Sequence, residues 1–101
     1  MTEAAHQSGW RRATTAAYVE SAPGSQARVV VLDLDRPELP PYVFEGSAAE
    51  IWARVDGRTE AEIAADLAEA FGAPVEVVAT DVRQFIDRLR DLGLVVADTG
   101  V

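Results

Sequence analysis

Hydrophobic positions change their period partway along this chain. Residues 28–35 read Arg-Val-Val-Val-Leu-Asp-Leu-Asp, whose β-branched start and alternating end predict a half-buried strand. Upstream, residues 10–20 have no clear period, although Ala17, Tyr18 and Val19 have the composition of a short strand ahead of a turn over 21–26 that contains Pro23-Gly24. Pro37, Pro40 and Pro41 then interrupt, and Tyr42-Val43-Phe44-Glu45 follows at once. Proline has no N–H to give to a ladder, so a strand opening behind two prolines belongs at the edge of a sheet.

Beyond Glu45 the period becomes helical. Ser47 followed by Glu50 has the spacing of a capping box, and Ala48, Ile51, Trp52 and Val55 then share one face up to Gly57, which supplies a left-handed stop. Thr59 with Glu62 repeats the box, with a stripe of Ile63, Ala64, Leu67 and Phe71 that Gly72 and Pro74 end. A third helix is predicted over 75–92, with Val75, Val78, Val82, Phe85, Leu89 and Leu92 spaced alternately by three and four, and Gly93 ends it. Leu94-Val95-Val96 reads either as an extended tail or as a small terminal strand. Strands first and helices second predict an α+β fold, winged-helix-like, in which a three-stranded antiparallel sheet is followed by three helices.

A chain of 101 residues allows one domain with a modest core. The expected division is a disordered start over 1–9, a domain over 10–97 and a tail over 98–101. The formal net charge is −8 and every basic residue is an arginine. A surface this acidic repels phosphate backbones and removes the main driving term of nonspecific nucleic-acid binding. Cysteine is absent, which excludes disulfides and thiolate metal sites. Neither a signal sequence nor a membrane span is visible, so a cytoplasmic location is the default and no membrane partner is expected.

Catalytic chemistry has little to stand on. There is no Cys and no Lys, and the one histidine, His6, lies in a polar N-terminus, so neither an enzyme activity nor a cofactor or metal is expected. The acidic pairs Asp33/Asp35 and Asp87/Asp91 sit at the spacings of ordinary solvated positions on a strand and a helix. Trp52 and Phe85 fall within apolar stripes and are read as core. The alternative of a winged-helix DNA-binding transcriptional regulator meets a third helix on which Arg83, Arg88 and Arg90 alternate with Asp81, Asp87 and Asp91, and such a face gains little from counterion release. The edge strand offers more. Tyr-Val-Phe has high strand propensity with no lysine to block pairing, so strand addition of an extended peptide is physically available.

Several short motifs in register sharpen this reading: Phe-Glu-Gly-Ser-Ala-Ala-Glu-Ile-Trp from Phe44, Asp-Gly-Arg-Thr-Glu-Ala-Glu-Ile from Asp56, and Asp-Val-Arg-Gln-Phe-Ile-Asp-Arg-Leu-Arg-Asp-Leu-Gly-Leu from Asp81. The chain thereby resembles the PqqD-like family, named after the small D protein of pyrroloquinoline quinone biosynthesis. Phe44 and Glu45 stand where the family pattern has Leu-Asn, and Arg-Pro-Glu-Leu-Pro-Pro from Arg36 replaces its short glycine-containing hairpin.

The resemblance implies a non-catalytic recognition protein, a peptide chaperone for ribosomally made precursor peptides. A leader segment of the precursor would add as a strand beside Tyr42, Val43, Phe44 and Glu45 and lie against the third helix. The precursor would then pass to a maturation enzyme: a radical S-adenosylmethionine enzyme, a leader peptidase or a cyclase. On the helix, Val82 is expected in the groove, with Ile86 bordering it and Arg83 and Arg90 on the same flank as cations for acidic leader residues.

Overall fold

The computed structural model describes residues 9–21 and 27–98. His6, most of the expected disordered start and most of the 21–26 turn lie outside the described residues. Gly9, placed in that start by the sequence, instead opens strand β1 (Gly9–Arg12), and Asp98, placed in the tail, closes strand β6 (Val95–Asp98).

Strands β2 (Ala16–Ser21), β3 (Arg28–Asp33) and β4 (Tyr42–Glu45) form an antiparallel sheet in the order β2-β3-β4. The middle strand alternates as expected, with Val29 and Val31 fully buried and Arg28, Val30 and Leu32 outside. It stops at Asp33, two residues short of the predicted end. The Asp33 side chain accepts from the Asp35 N–H at 3.0 Å, a local turn that competes with the ladder.

A second three-stranded antiparallel sheet, absent from the sequence reading, has the order β5-β1-β6, with β5 at Asp56–Arg58. The expectation of a single sheet is therefore corrected to two. Neither Gly-Trp-Arg-Arg nor Asp-Gly-Arg alternates in hydrophobicity, so their pairing depends on distant partners rather than on local pattern. The backbones of β1 and β5 also approach very closely. A Cβ at Gly9 would meet the Gly57 carbonyl, and Gly57 itself has φ of 78°, so both positions require glycine.

Three helices follow the first sheet: α1 (Ser47–Arg54), α2 (Glu60–Phe71) and α3 (Val75–Asp91). At α2 the predicted box forms, the Glu62 N–H donating to Thr59 Oγ1 at 3.1 Å and the Thr59 N–H to Glu62 Oε1 at 2.9 Å, and Gly72 closes the helix in the left-handed region. The box predicted for Ser47 and Glu50 does not form. Gly46 is the N-cap, which makes Ser47 already helical, and Glu50 turns instead to Arg54 at 2.8 Å. Helix α1 ends at Arg54, with Val55 extended, rather than at Gly57, which lies in β5.

On α3 the fully buried residues are Val82, Ile86 and Leu89, while Val78, Phe85 and Leu92 are half-buried and Val75 is exposed. Phe71, predicted in the α2 stripe, is 60% exposed. It lines an open apolar cavity of about 180 Å³ with Ile51, Leu67 and Val78.

The core is centred on Trp52, fully buried between the first sheet and the helices. Tyr18 meets its ring edge-on at 5.4 Å, Phe44 lies 6.1 Å away, and Arg12 of β1 donates to the Trp52 carbonyl at 2.7 Å with its guanidinium 5.0 Å from the Tyr18 ring. The arginine ties the second sheet to the first through its cation-π contact with Tyr18 and to α1 through the hydrogen bond.

Candidate peptide-docking edge and groove

Strand β4 is paired with β3 on one side and, among the described residues, with no strand on the other. Its polar backbone groups can be assigned to sides from the ladder. The register is Arg28↔Glu45, Val29↔Phe44, Val30↔Val43 and Val31↔Tyr42, and the Gly46 N–H continues it by donating to the Ala27 carbonyl at 3.0 Å. Antiparallel partners alternate between hydrogen-bonded and non-hydrogen-bonded pairs, so Gly46, Phe44 and Tyr42 turn their groups toward β3. Val43 and Glu45 turn theirs outward. The opposite ladder agrees: Leu34 donates to Thr15 at 2.8 Å, which commits Leu32 and Val30 to β2 and leaves Val31 and Val29 for β4.

Side chains on β4 alternate in the other sense. Phe44 is buried and Tyr42 half-buried on the inner face, with their rings stacked at 6.3 Å, while Val43 and Glu45 are exposed on the outer face. There Val43 ends a cross-strand row of valines, Val19–Val30–Val43, and Glu45 sits beside Arg28 at 3.4 Å.

The helical wall beside β4 is the flank of α3 that carries Phe85. Its ring stands perpendicular to that of Phe44, centroids 5.0 Å apart. Asp81, Gln84, Phe85 and Arg88 line a shallow cavity of about 240 Å³ along this flank. The expected placement of Ile86 on the groove wall is thus corrected. Ile86 and Val82 are both fully buried, although Val82 lies on the wall of the apolar cavity beside Phe71. One helical residue turns 100°, and the core claims Ile86 and leaves Phe85 half-open.

The predicted cations also differ. Arg83 reaches Glu60 at the start of α2 at 3.9 Å, and Arg90 lies 3.7 Å from Asp87 and 4.0 Å from Asp91. Arg88 makes no ion pair among the described residues and lines the Phe85 cavity instead. The signal was present in the sequence as the i−4, i, i+3 spacing of Asp81, Phe85 and Arg88, once Phe85 is taken as the groove residue.

Behind the groove, Arg54 clasps α1 to α2, donating from Nε to Asp66 at 2.8 Å and from Nη1 to Glu50 at 2.8 Å, with Arg58 3.3 Å from Asp66. Burial works against the Arg54 charge, but its hydrogen bonds to Glu50 and Asp66 prevail and raise its pKa. The same Arg54 hydrogen bond, aided by the nearby charges, holds the Asp66 carboxyl below its usual range. Among the described residues no cluster of His, Cys, Asp and Glu could hold a metal ion, and no helix is long and apolar enough to cross a membrane.

Residues 28–95 match the family described as Coenzyme PQQ synthesis protein D (PqqD). The chain belongs to the PqqD family. That span takes in β3, β4 and all three helices, hence both walls of the groove. Members of the PqqD family are non-catalytic peptide-binding proteins. The fold is also similar to a solved structure described as "TbiB1 in Complex with the TbiA(beta) Leader Peptide", with a TM-score of 0.66 and 19% identity over 84% of this chain and 93% of that one. No curated protein matches the sequence.

Proposed function

We propose that this PqqD-family protein binds the leader segment of a ribosomally made precursor peptide as an added strand on β4, and presents it to a maturation enzyme. The observation that carries this reading is that the outward N–H and C=O groups of Val43 and Glu45 have no strand partner among the described residues, beside the aromatic pair of Phe44 and Phe85. An added strand gains its affinity from those backbone groups and its specificity from the side chains that alternate into the groove. TbiB1, whose fold this chain shares, was solved with a leader peptide bound, which supports the same use of the fold here.

In this reading Tyr42–Glu45 is the docking strand, and Asp81, Gln84, Phe85 and Arg88 form the facing wall. Arg83 and Arg90 lie farther round α3 and act at most through long-range charge. The receiving enzyme is a radical S-adenosylmethionine protein, a leader peptidase or a cyclase. The regulator reading gains nothing from α3, whose Arg83 and Arg90 are committed to acidic neighbours.

Calorimetric titration with synthetic leaders of any short precursor peptide encoded beside this gene tests the proposal. Saturable binding that is lost in Val43→Pro is expected. Binding unaffected by changes on both β4 and the Phe85 flank would move the site elsewhere.

A further inference from the structure

Resting on the docking mode just proposed, we infer that Glu45 selects a basic residue in the incoming peptide, two positions from an apolar residue that sits beside Val43. The outer face of the first sheet is organised in cross-strand rows that end at the β4 edge. One row is Val19–Val30–Val43, and the next contains Arg28 and Glu45. A strand added to β4 extends each row by one residue, whether it runs parallel or antiparallel, because neighbouring side chains on one face stay in register.

The row through Val43 is apolar across three strands, and Val43 is 48% exposed at its end, so a β-branched or aromatic neighbour covers it. The row through Glu45 alternates in sign. Arg28 approaches one carboxylate oxygen, Oε2, at 3.4 Å from the β3 side, and no hydrogen bond among the described residues is donated to the carboxylate. A carboxylate has room for several donors, so the side facing the incoming strand is open.

Distance decides the sign of the net interaction. A cation on the added strand stands roughly 5 Å from Glu45 in the next position of the row. It stands about 10 Å from Arg28, two strand spacings away and beyond the Debye length of about 8 Å at physiological salt. Attraction to Glu45 therefore outweighs repulsion by Arg28. An acidic residue at the same position would meet Glu45 directly, on a chain whose net charge is already −8.

The probe is a display library of short random peptides, sorted for binding to the full chain and, in parallel, to Glu45→Arg and Val43→Pro variants. Wild type is expected to enrich peptides with an apolar residue and an Arg or Lys two positions apart, and Glu45→Arg to exchange the basic residue for Asp or Glu. For one enriched peptide, Glu45→Gln should weaken binding about two- to fivefold, the range of an exposed cross-strand charge pair, and should flatten its salt dependence. Enriched peptides that depend on Val43 but show no charge preference, or an unchanged preference in Glu45→Arg, would overturn the role of Glu45 while leaving strand addition standing. A set of binders indifferent to Val43→Pro would overturn both.

Discussion

Phe85 stands edge-on to Phe44, ring planes at 89° and centroids 5.0 Å apart, and this pair joins the edge strand to the third helix. Perpendicular packing leaves one face of Phe85 half-open beside β4, where an apolar side chain of a docked strand can rest. Phe85→Ala should cost about 0.5–1.5 kcal/mol for the lost ring pair and roughly 1 kcal/mol more for its half-buried area, less than the truncation of a fully buried ring. Leader binding should fall at least tenfold, about 1.4 kcal/mol. Thermal melts and titrations on the same samples separate the two effects.

Val43→Pro removes an N–H that points away from β3, so no bond of the existing sheet is lost and the preceding Tyr42 stays in the extended region a proline favours. The fold should survive by circular dichroism while leader binding drops at least tenfold, about 1.4 kcal/mol. Phe44→Pro, one residue on, deletes a group that faces β3 and should destabilise the sheet itself. A lower melting temperature for Val43→Pro than for Phe44→Pro would show that the sides of the ladder are reversed.

Trp52→Ala and Ile86→Asp both strike the core. Truncating a fully buried tryptophan costs on the order of 3–5 kcal/mol, a large part of the stability of so small a domain. A carboxylate at position 86 has no partner in an apolar interior and costs several kcal/mol more than the buried isoleucine it replaces. Both variants should be largely unfolded by circular dichroism, whereas Arg88→Ala on the open flank should remain folded and lose part of its leader affinity in low salt.

Acid should loosen the clasp between α1 and α2. The Asp66 carboxyl is held below its usual range by Arg54, so its contribution is complete above the unfolded-state value of about 4 and is lost as pH falls through the depressed folded value. Asp66→Asn removes this contribution at neutral pH. Its melting temperature should lie below that of the wild type at pH 7 and converge with it at the acid end, a comparison that differential scanning fluorimetry can make.

Local signals were legible where both partners of an interaction lie within one turn. Thr59 and Glu62 announce the start of α2 because each satisfies the other across three residues, and Tyr42–Glu45 reads as an edge because Pro40 and Pro41 precede it. Ser47 carried the same cap spacing but lost the role to Gly46, whose backbone freedom lets the chain turn from β4 into α1 one residue earlier. The choice between Phe85 and Ile86 was not decidable from spacing, since 82/85/89 and 82/86/89 are both sound helical stripes. What distinguishes them is packing against another element: the Phe85 ring meets Phe44 of β4, while Ile86 is fully buried. Strands β1, β5 and β6 left no periodicity because each is short and takes its partner from far along the chain.

The pairing of β1 with β6 also spans nearly the whole length of the described chain. Gly9 opposes Asp98 and Arg12 opposes Val95, so the first described strand waits for the last before its ladder can close. Loop closure over so long a separation is slow, whereas α2 and α3, joined by a short turn, can meet early. The second sheet therefore closes late: β1 can pair with β5 earlier, but its other side stays open until synthesis has passed the third helix. A nascent chain halted within α3 would hold β1 against β5 alone, with its β6 side unpaired.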